Sequence, residues 1–567
     1  IPAKPTSSQF DATTGVLSWD LRDNTAGHNA QITMEYTVSN LTKSVFDYWT
    51  TTANSYGLID SKETTVDNPI RAYAEIINRV FTYTVSGSGE DARYTLRVTD
   101  IVLLSAQSVA DGKVTPTSYQ VTSIGTDYTF KINIMVASTI EDSGELISGT
   151  YIHQKSENFD AFEYGDGSEN YRYAVNDYAS LNSIRYFANR NFVVTGNISV
   201  TENWNMIETE FTGSIIGRQF EVGGNFVYPT ISTITPNIKV GGNTHYIAFM
   251  RTNLGSISNL NLVVNMSYLE AGAANVYVAG LAITNSGTID NVNIESTTGI
   301  NINYTSINNS MYVAGLVYEN TDNATIKNSS VTVGKNDDIN DNNGIYALCG
   351  GQSVARVAGI AGINTGTISD TYFSGDMTAN YVAGIASNNS GTIRGCYSTG
   401  NAYITDTNLT QGAQGKNSEF GGIAGTLSGN GNAKIINSYS IMAVTLKASS
   451  GTSVTAYIGG LYATPDNNLG GAEIINSYTA IKYTNNATNN VTIQAYYFGV
   501  KADSIRYQDC YYLVLSDSNQ MNGTDGVTGV TQVTNVDALR SALGTLTYEG
   551  NLVYDVSETH PYPVLKK

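Results

Sequence analysis

Cysteine, histidine and proline are scarce in this chain of 567 residues, with three, four and nine copies. Cys349, Cys396 and Cys510 are too few and too widely spaced for a disulfide framework or a CxxC metal site, so they read as small buried residues. A zinc peptidase needs two histidines on one helix face with a glutamate base, as in HExxH. His28, His153, His245 and His560 offer no such pair. Nor does the chain contain a GxSxG elbow, a P-loop or a GxGxxG turn before a helix, and no cofactor or metal is expected. Basic residues are short too: 30 Lys and Arg against 49 Asp and Glu give a net charge of −19. That balance argues against a nucleic-acid partner, because affinity for a phosphate backbone comes from clustered cations that displace counterions. Only 14% of residues are charged, so the Glu, Lys and Arg that clothe surface helices are largely missing. No run approaches the ~20 apolar residues that carry a helix across a bilayer. The chain opens on Ile1 without Met or an apolar leader, and it reads as a mature or truncated form in which a lipid anchor could precede Ile1.

What is present is glycine, tyrosine and repetition. One half-motif reads VAGLA at 278–282, VAGLV at 313–317, VAGIA at 357–361 and 382–386, FGGIA at 420–424 and IGGLY at 458–462. A second follows as NSGTIDN at 285–291, NTGTISD at 364–370, NSGTIRG at 389–395, AKIIN at 433–437 and AEIIN at 472–476. Its central isoleucines, Ile257, Ile289, Ile326, Ile368, Ile393, Ile435, Ile474 and Ile505, are separated by 32, 37, 42, 25, 42, 39 and 31 residues. Such a period marks a solenoid, here of about eight coils with two or three short strands each. No proline lies between Pro236 and Pro465, as expected where backbone N–H groups donate to a neighbouring coil.

Fixed offsets from the central Ile define further columns. Two residues on stand Asn259, Asn291, Asn328, Asp370, Asn437 and Asn476, read as an amide ladder that saturates turn backbone. Four residues on stand Tyr372, Tyr397, Tyr439 and Tyr478, continued by Tyr511. These tyrosines either pack within the coil or form an outward aromatic strip for sugar rings or a partner protein. Insertions at 299–311, 335–354, 403–417, 442–456 and 482–496 fall between coils and are expected along one edge, with IKYTNNATNNVTIQAYY reading as a β-hairpin. The acidic run at 337–344 fails the EF-hand spacing and reads as a solvated loop.

The expected fold class is all-β, in four parts. Residues 1–165 alternate apolar and polar side chains between turn signals, the pattern of an Ig-like β-sandwich or two smaller ones, with Trp19 in its core. Residues 166–256 hold a cap helix over 178–188 and the first irregular coils. The parallel β-helix-like solenoid follows over 257–535. Residues 536–567 form a C-terminal cap, with a helix at 536–543 stopped by Gly544 and a strand in HPYPVL.

VAGIAGINTGTISDTYFSG at 357–375 and VAGIASNNSGTIRGCYSTG at 382–400 resemble the repeat of the GLUG family, y-V-G-G-L-x-G-x-N-x-G-x-I-x-N-S-Y-x-x-G. NFVVTGNISVTENWNMI at 191–207 is similar to the segment that precedes such repeats. The chain departs from the pattern in placing Ala for the first Gly in four copies and a degenerate IAFM at 247–250. The resemblance implies a secreted or surface-attached bacterial protein, often of gut Bacteroidetes, of the kind described as adhesins, and it assigns no catalytic residue.

Two functions compete on this reading, with a structural subunit that associates through exposed strands as a third. The first is a non-enzymatic, extracellular or cell-surface adhesin that offers its solenoid to a glycan or a host or matrix protein, with Tyr372, Tyr397, Tyr439 and Tyr478 as ligand contacts. The alternative is a carbohydrate-active β-helix enzyme, a polysaccharide lyase or glycoside hydrolase. It requires two or three carboxylates converging on a groove, for which Asp370 and Asp376 are the nearest approach.

Overall fold

A computed structural model describes nine strands before residue 154, largely as backbone, and the chain from Arg172 to Lys566 apart from 335–342, 352, 406–416, 430–431, 448–453, 467–468, 488–490 and 524–526. The chain is all-β and divides into two compact units, one of 1–175 with 179–192 and one of 176–178 with 193–567.

In the first unit the alternating segments form two sheets in which every pairing is antiparallel. Four strands run in the order Ser7–Asp11, Val16–Asp20, Thr117–Val121, Ile59–Asp60. Five run in the order Ala74–Ser86, Arg93–Leu104, His28–Leu41, Tyr128–Thr139, Leu146–His153. The expectation for Trp19 concerns a side chain outside the described residues. The expected helix is shorter than its sequence pattern, covering Tyr178–Ser183 before a 3-10 turn at Ile184–Tyr186. Its anticipated apolar face, Leu181, Ile184, Phe187 and Ala188, is buried.

The second unit is a parallel β-solenoid. One coil shows the plan, with five short strands where two or three were expected: Tyr381–Ala383, Ala386–Asn389, Thr392–Arg394, Tyr397–Thr399 and Asn401–Thr405. Each pairs in parallel with its counterparts in the coils before and after. The glycine of V-A-G makes this stacking possible. A Cβ on Gly384 would lie 1.9 Å from Gly422 O, and one on Gly359 would lie 2.1 Å from Gly384 O, so backbone touches backbone at this corner. Isoleucine fills the interior, where Ile215, Ile257, Ile289, Ile326, Ile368, Ile393, Ile435 and Ile474 stand in register and buried.

The register departs from the expected isoleucine column and from the expected hairpin. Ile474 is followed in the column by Tyr507; Ile505 lies opposite Ala472. With Tyr507 as the central residue, the offset of four to Tyr511 is restored, and Tyr511 does pair with Tyr478. The segment read as a hairpin is likewise two strands of one parallel sheet. Lys482–Asn485 pairs with Ala443–Lys447, Val491–Tyr496 pairs with Val454–Gly459, and the two lie at opposite ends of the strand order. The other inserted segments also contribute strands to this sheet, such as Ile300–Ala314 and Ile345–Gly351. The segments at 335–342, 406–416, 448–453 and 488–490, which include most of the acidic run, lie outside the described residues.

The Asn and Asp column has a different cause from the ladder expected of it. Asn259, Asn291, Asn328, Asp370, Asn437, Asn476 and Asp509 all take φ between 48° and 59°, and Gly395 takes 63°. The chain kinks at this point in every coil, and Asn, Asp and Gly are the residues that tolerate the left-handed region. Side-chain bonds along the column are intermittent: Asn291 donates to Asn259 (2.8 Å) and Asn476 to Asn437 (3.1 Å), whereas Asn328 donates to Asp290. The continuous ladder lies elsewhere, at the Asn of the N-x-G turns and at Asn320, which holds the same register position in N-T-D. Asn253, Asn285, Asn320, Asn364 and Asn389 are fully buried, and each Nδ2 donates to the next Oδ1 at 2.8 Å. Leu427 and Pro465 occupy the equivalent positions beyond Asn389.

Beyond the last coil, Val536–Leu543 forms the expected helix, with Asn535 as N-cap accepting from Ala538 N. Leu539 and Leu543 are buried with Leu513 and Val533 of the last strands. In the terminal HPYPVL, Val564–Leu565 pairs with Tyr554–Asp555.

Candidate binding surface

The residue after each column tyrosine points into the coil, as Phe373, Ser398, Ser440 and Thr479 are buried against the V-A-G glycines Gly359, Gly384, Gly422 and Gly460. Because side chains alternate along a strand, the tyrosines face outward. Their rings are stacked, with centroids 4.8 Å apart for Tyr372 and Tyr397, 5.0 Å for Tyr397 and Tyr439 and 4.8 Å for Tyr439 and Tyr478. Interplanar angles are 4°, 4° and 10°. The spacing is set by the backbone, since neighbouring strands lie about 4.7–4.9 Å apart. Stacked rings cover one another's faces, so the strip presents ring edges and hydroxyls. Beyond Tyr372 the column continues with Ser330, whose side chain is too short to cover the ring, so that face of Tyr372 is unstacked.

The chain itself covers half of the strip. Tyr554 packs edge-on to Tyr478 and tilted against Tyr439, and its hydroxyl donates to Asn476 O at 2.6 Å. The Tyr478 hydroxyl donates to Pro563 O. As a result Tyr439 and Tyr478 are buried, while Tyr372 and Tyr397 remain half-exposed. Desolvation raises the phenol pKa of both covered residues, and pushes that of Tyr397 up to about 12. The slot before each tyrosine holds Thr371, Cys396, Ser438, Ser477 or Cys510. The Ser438 and Ser477 hydroxyls accept the Cys396 and Ser438 N–H at 3.1 Å, so small polar side chains here satisfy the backbone of the kink. Cys396 and Cys510 are fully buried free thiols pushed up to about 12 by desolvation.

A second outward column went unread in the sequence although its signal was plain: the residue before each V-A-G. In register stand Tyr246, Tyr277, Tyr312, Arg356, Tyr381, Glu419 and Tyr457. Tyr277 stacks on Tyr318 at 4.2 Å. The Arg356 guanidinium lies over two rings, 5.3 Å from Tyr312 and 4.8 Å from Tyr381. Burial among these side chains pushes the Glu419 carboxyl up to about 7, offset in part by Arg356.

Asp370 and Asp376 stand in different settings. Asp376 is buried and accepts from Asn401 N and Nδ2, both at 2.9 Å, which fixes the corner of the next coil, while Asp370 sits exposed at the kink. Among the described residues no three His, Cys, Asp or Glu side chains group as metal ligands, and no helix is long and apolar enough to cross a membrane.

These features define a parallel β-solenoid repeat protein with an outward aromatic strip. No family model matches the chain, and no curated protein is similar to it.

Proposed function

We propose that the chain is a non-enzymatic secreted or cell-surface protein, an adhesin whose solenoid presents a binding surface to a glycan or to a host or matrix protein. The observation that carries this reading is the tyrosine strip. Four aromatic side chains are held outward on a rigid sheet, and two of them, Tyr372 and Tyr397, are left within reach of a ligand. Outward aromatic rows offer apolar area and hydroxyl groups at small entropic cost, which suits both sugars and protein side chains. The resemblance of the repeats to GLUG arrays of bacterial surface proteins supports the same reading.

The test is a binding screen of the full chain on immobilised glycans and extracellular matrix proteins, run beside an assay for polysaccharide cleavage. Binding without cleavage is expected. Release of oligosaccharides from any polysaccharide would favour a lyase or glycosidase instead.

A further inference from the structure

Where the C-terminal segment crosses the kink column it leaves an open cleft of about 260 Å³. One side is formed by Asp370, Arg394 and Asn437 of three successive coils, the other by Tyr548 and Glu549, with Lys566 at the rim. Gly395 sits between Asp370 and Asn437. Its φ of 63° does not by itself demand glycine, because Asp370 and Asn437 hold the same conformation at 49° and 50°. What glycine removes is a side chain. A Cβ at this position would lie 2.5 Å from Asp370 Oδ1, so the absence of one is what leaves the space between the neighbouring coils open.

The chemistry of the lining is specific. Asp370, Arg394 and Glu549 are committed to no ion pair or side-chain hydrogen bond among the described residues. Both signs are represented, so an anion would meet two carboxylates and a cation would meet Arg394 and Lys566. A neutral polyol meets neither penalty. Planar Asp, Glu and Arg groups bind vicinal hydroxyls in pairs, and a phenol ring gives an apolar face for sugar C–H groups. The volume falls below the roughly 300–1,000 Å³ of pockets for drug-sized ligands, which limits the occupant to about one sugar ring. Two residues on from Asp370 and Gly395 come Tyr372 and Tyr397, so a longer chain leaving the cleft would run onto the exposed part of the strip.

We propose that this cleft binds one neutral pyranose unit of a glycan, its hydroxyls held by Asp370, Arg394 and Glu549 and its apolar face against Tyr548. The inference rests on the glycan branch of the function proposed above. It is tested by saturation-transfer NMR on the full chain with the methyl glycosides of galactose, glucose, mannose, fucose and N-acetylglucosamine. At least one glycoside should show transfer. Its Kd should rise at least tenfold in Gly395→Asn, which restores the side chain found in neighbouring coils, and in Arg394→Ala, which removes a half-exposed residue. Phe226→Ser, at an exposed residue outside both the cleft and the tyrosine strip, should leave the monosaccharide Kd unchanged. A wild-type Kd in both Gly395→Asn and Arg394→Ala would overturn the cleft as the sugar site while sparing the strip. Silence from every glycoside would also overturn it, and binding of the wild-type chain to matrix proteins would then decide whether the broader reading survives.

Discussion

Replacing Asn320 by alanine isolates the contribution of the buried amide ladder. Asn320 is fully buried, accepts from Asn285 Nδ2 and donates to Asn364 Oδ1, both at 2.8 Å. Truncation strands one donor and one acceptor, and each unsatisfied buried polar group costs about 1–3 kcal/mol. Two such groups sum to about 2–6 kcal/mol, and because Asn285 Nδ2 retains a weak alternative in Gly287 O at 3.4 Å the lower part of that sum, about 2–4 kcal/mol, is expected. Asn309→Ala is the matched control, since Asn309 donates to Asn275 across coils at 3.0 Å but is exposed, and about 0.5 kcal/mol or less is expected. Asn389→Leu should lie between the two, at about 1–2 kcal/mol, because it ends the ladder and the next coil already carries Leu427. Urea unfolding followed by hydrogen exchange in the flanking strands measures the series, the second because solenoids lose structure locally as well as globally. Equal losses for Asn320→Ala and Asn309→Ala would refute the claim that burial makes the ladder matter.

Other expectations follow from the same geometry. Gly422→Ala brings a Cβ to 2.0 Å from Gly460 O and 2.5 Å from Ser440, so it should cost at least about 3 kcal/mol, while Gly196→Ala, with open space around it, should be neutral in the same melts. Glu419 has its carboxyl pKa raised to about 7, so the folded state holds a proton that the unfolded state releases between about pH 4.5 and 7. Its contribution to stability is complete below that window and lost as pH rises through it. The Tm of the wild type should therefore fall from pH 5 to pH 8 by more than that of Glu419→Gln. Phenolate absorbance should show a class of tyrosines titrating well above 10, Tyr397 near 12 among them; because their folded values are raised, stability is lost as pH climbs from about 10 through 12.

Much of the solenoid was legible because stacking like on like leaves its mark in sequence. V-A-G repeats where glycine carbonyls pack on glycine, and the tyrosine column repeats where rings stack at the strand spacing. Each failure of reading has a physical cause. Ile505 is apolar and buried like a column residue, yet in register it lies opposite Ala472, and the half-buried Tyr507 stands opposite Ile474. The apparent hairpin at 482–496 has a local turn signal, but its strands pair with segments about 40 residues away, a choice no local pattern encodes. N-x-G announces a turn and conceals that its Asn points inward. The kink column was readable as left-handed backbone from Gly395, which breaks a run of Asn and Asp with the one other residue type that accepts that φ. The covering of Tyr439 and Tyr478 by Tyr554 and Pro563 joins residues far apart in sequence, and the tyrosine spacing alone could not show which part of the strip stays open.

The central claim is that the exposed end of the tyrosine strip is the contact surface, and the most direct measurement compares the wild-type chain with a Tyr372→Ser, Tyr397→Ser double variant in the glycan and matrix-protein screen. Ser330 already occupies the same column, so the fold should accept serine there. The account predicts that the wild type binds at least one immobilised polymer and that the double variant loses at least tenfold in affinity with its melting profile preserved. Undiminished binding by a folded double variant would contradict it.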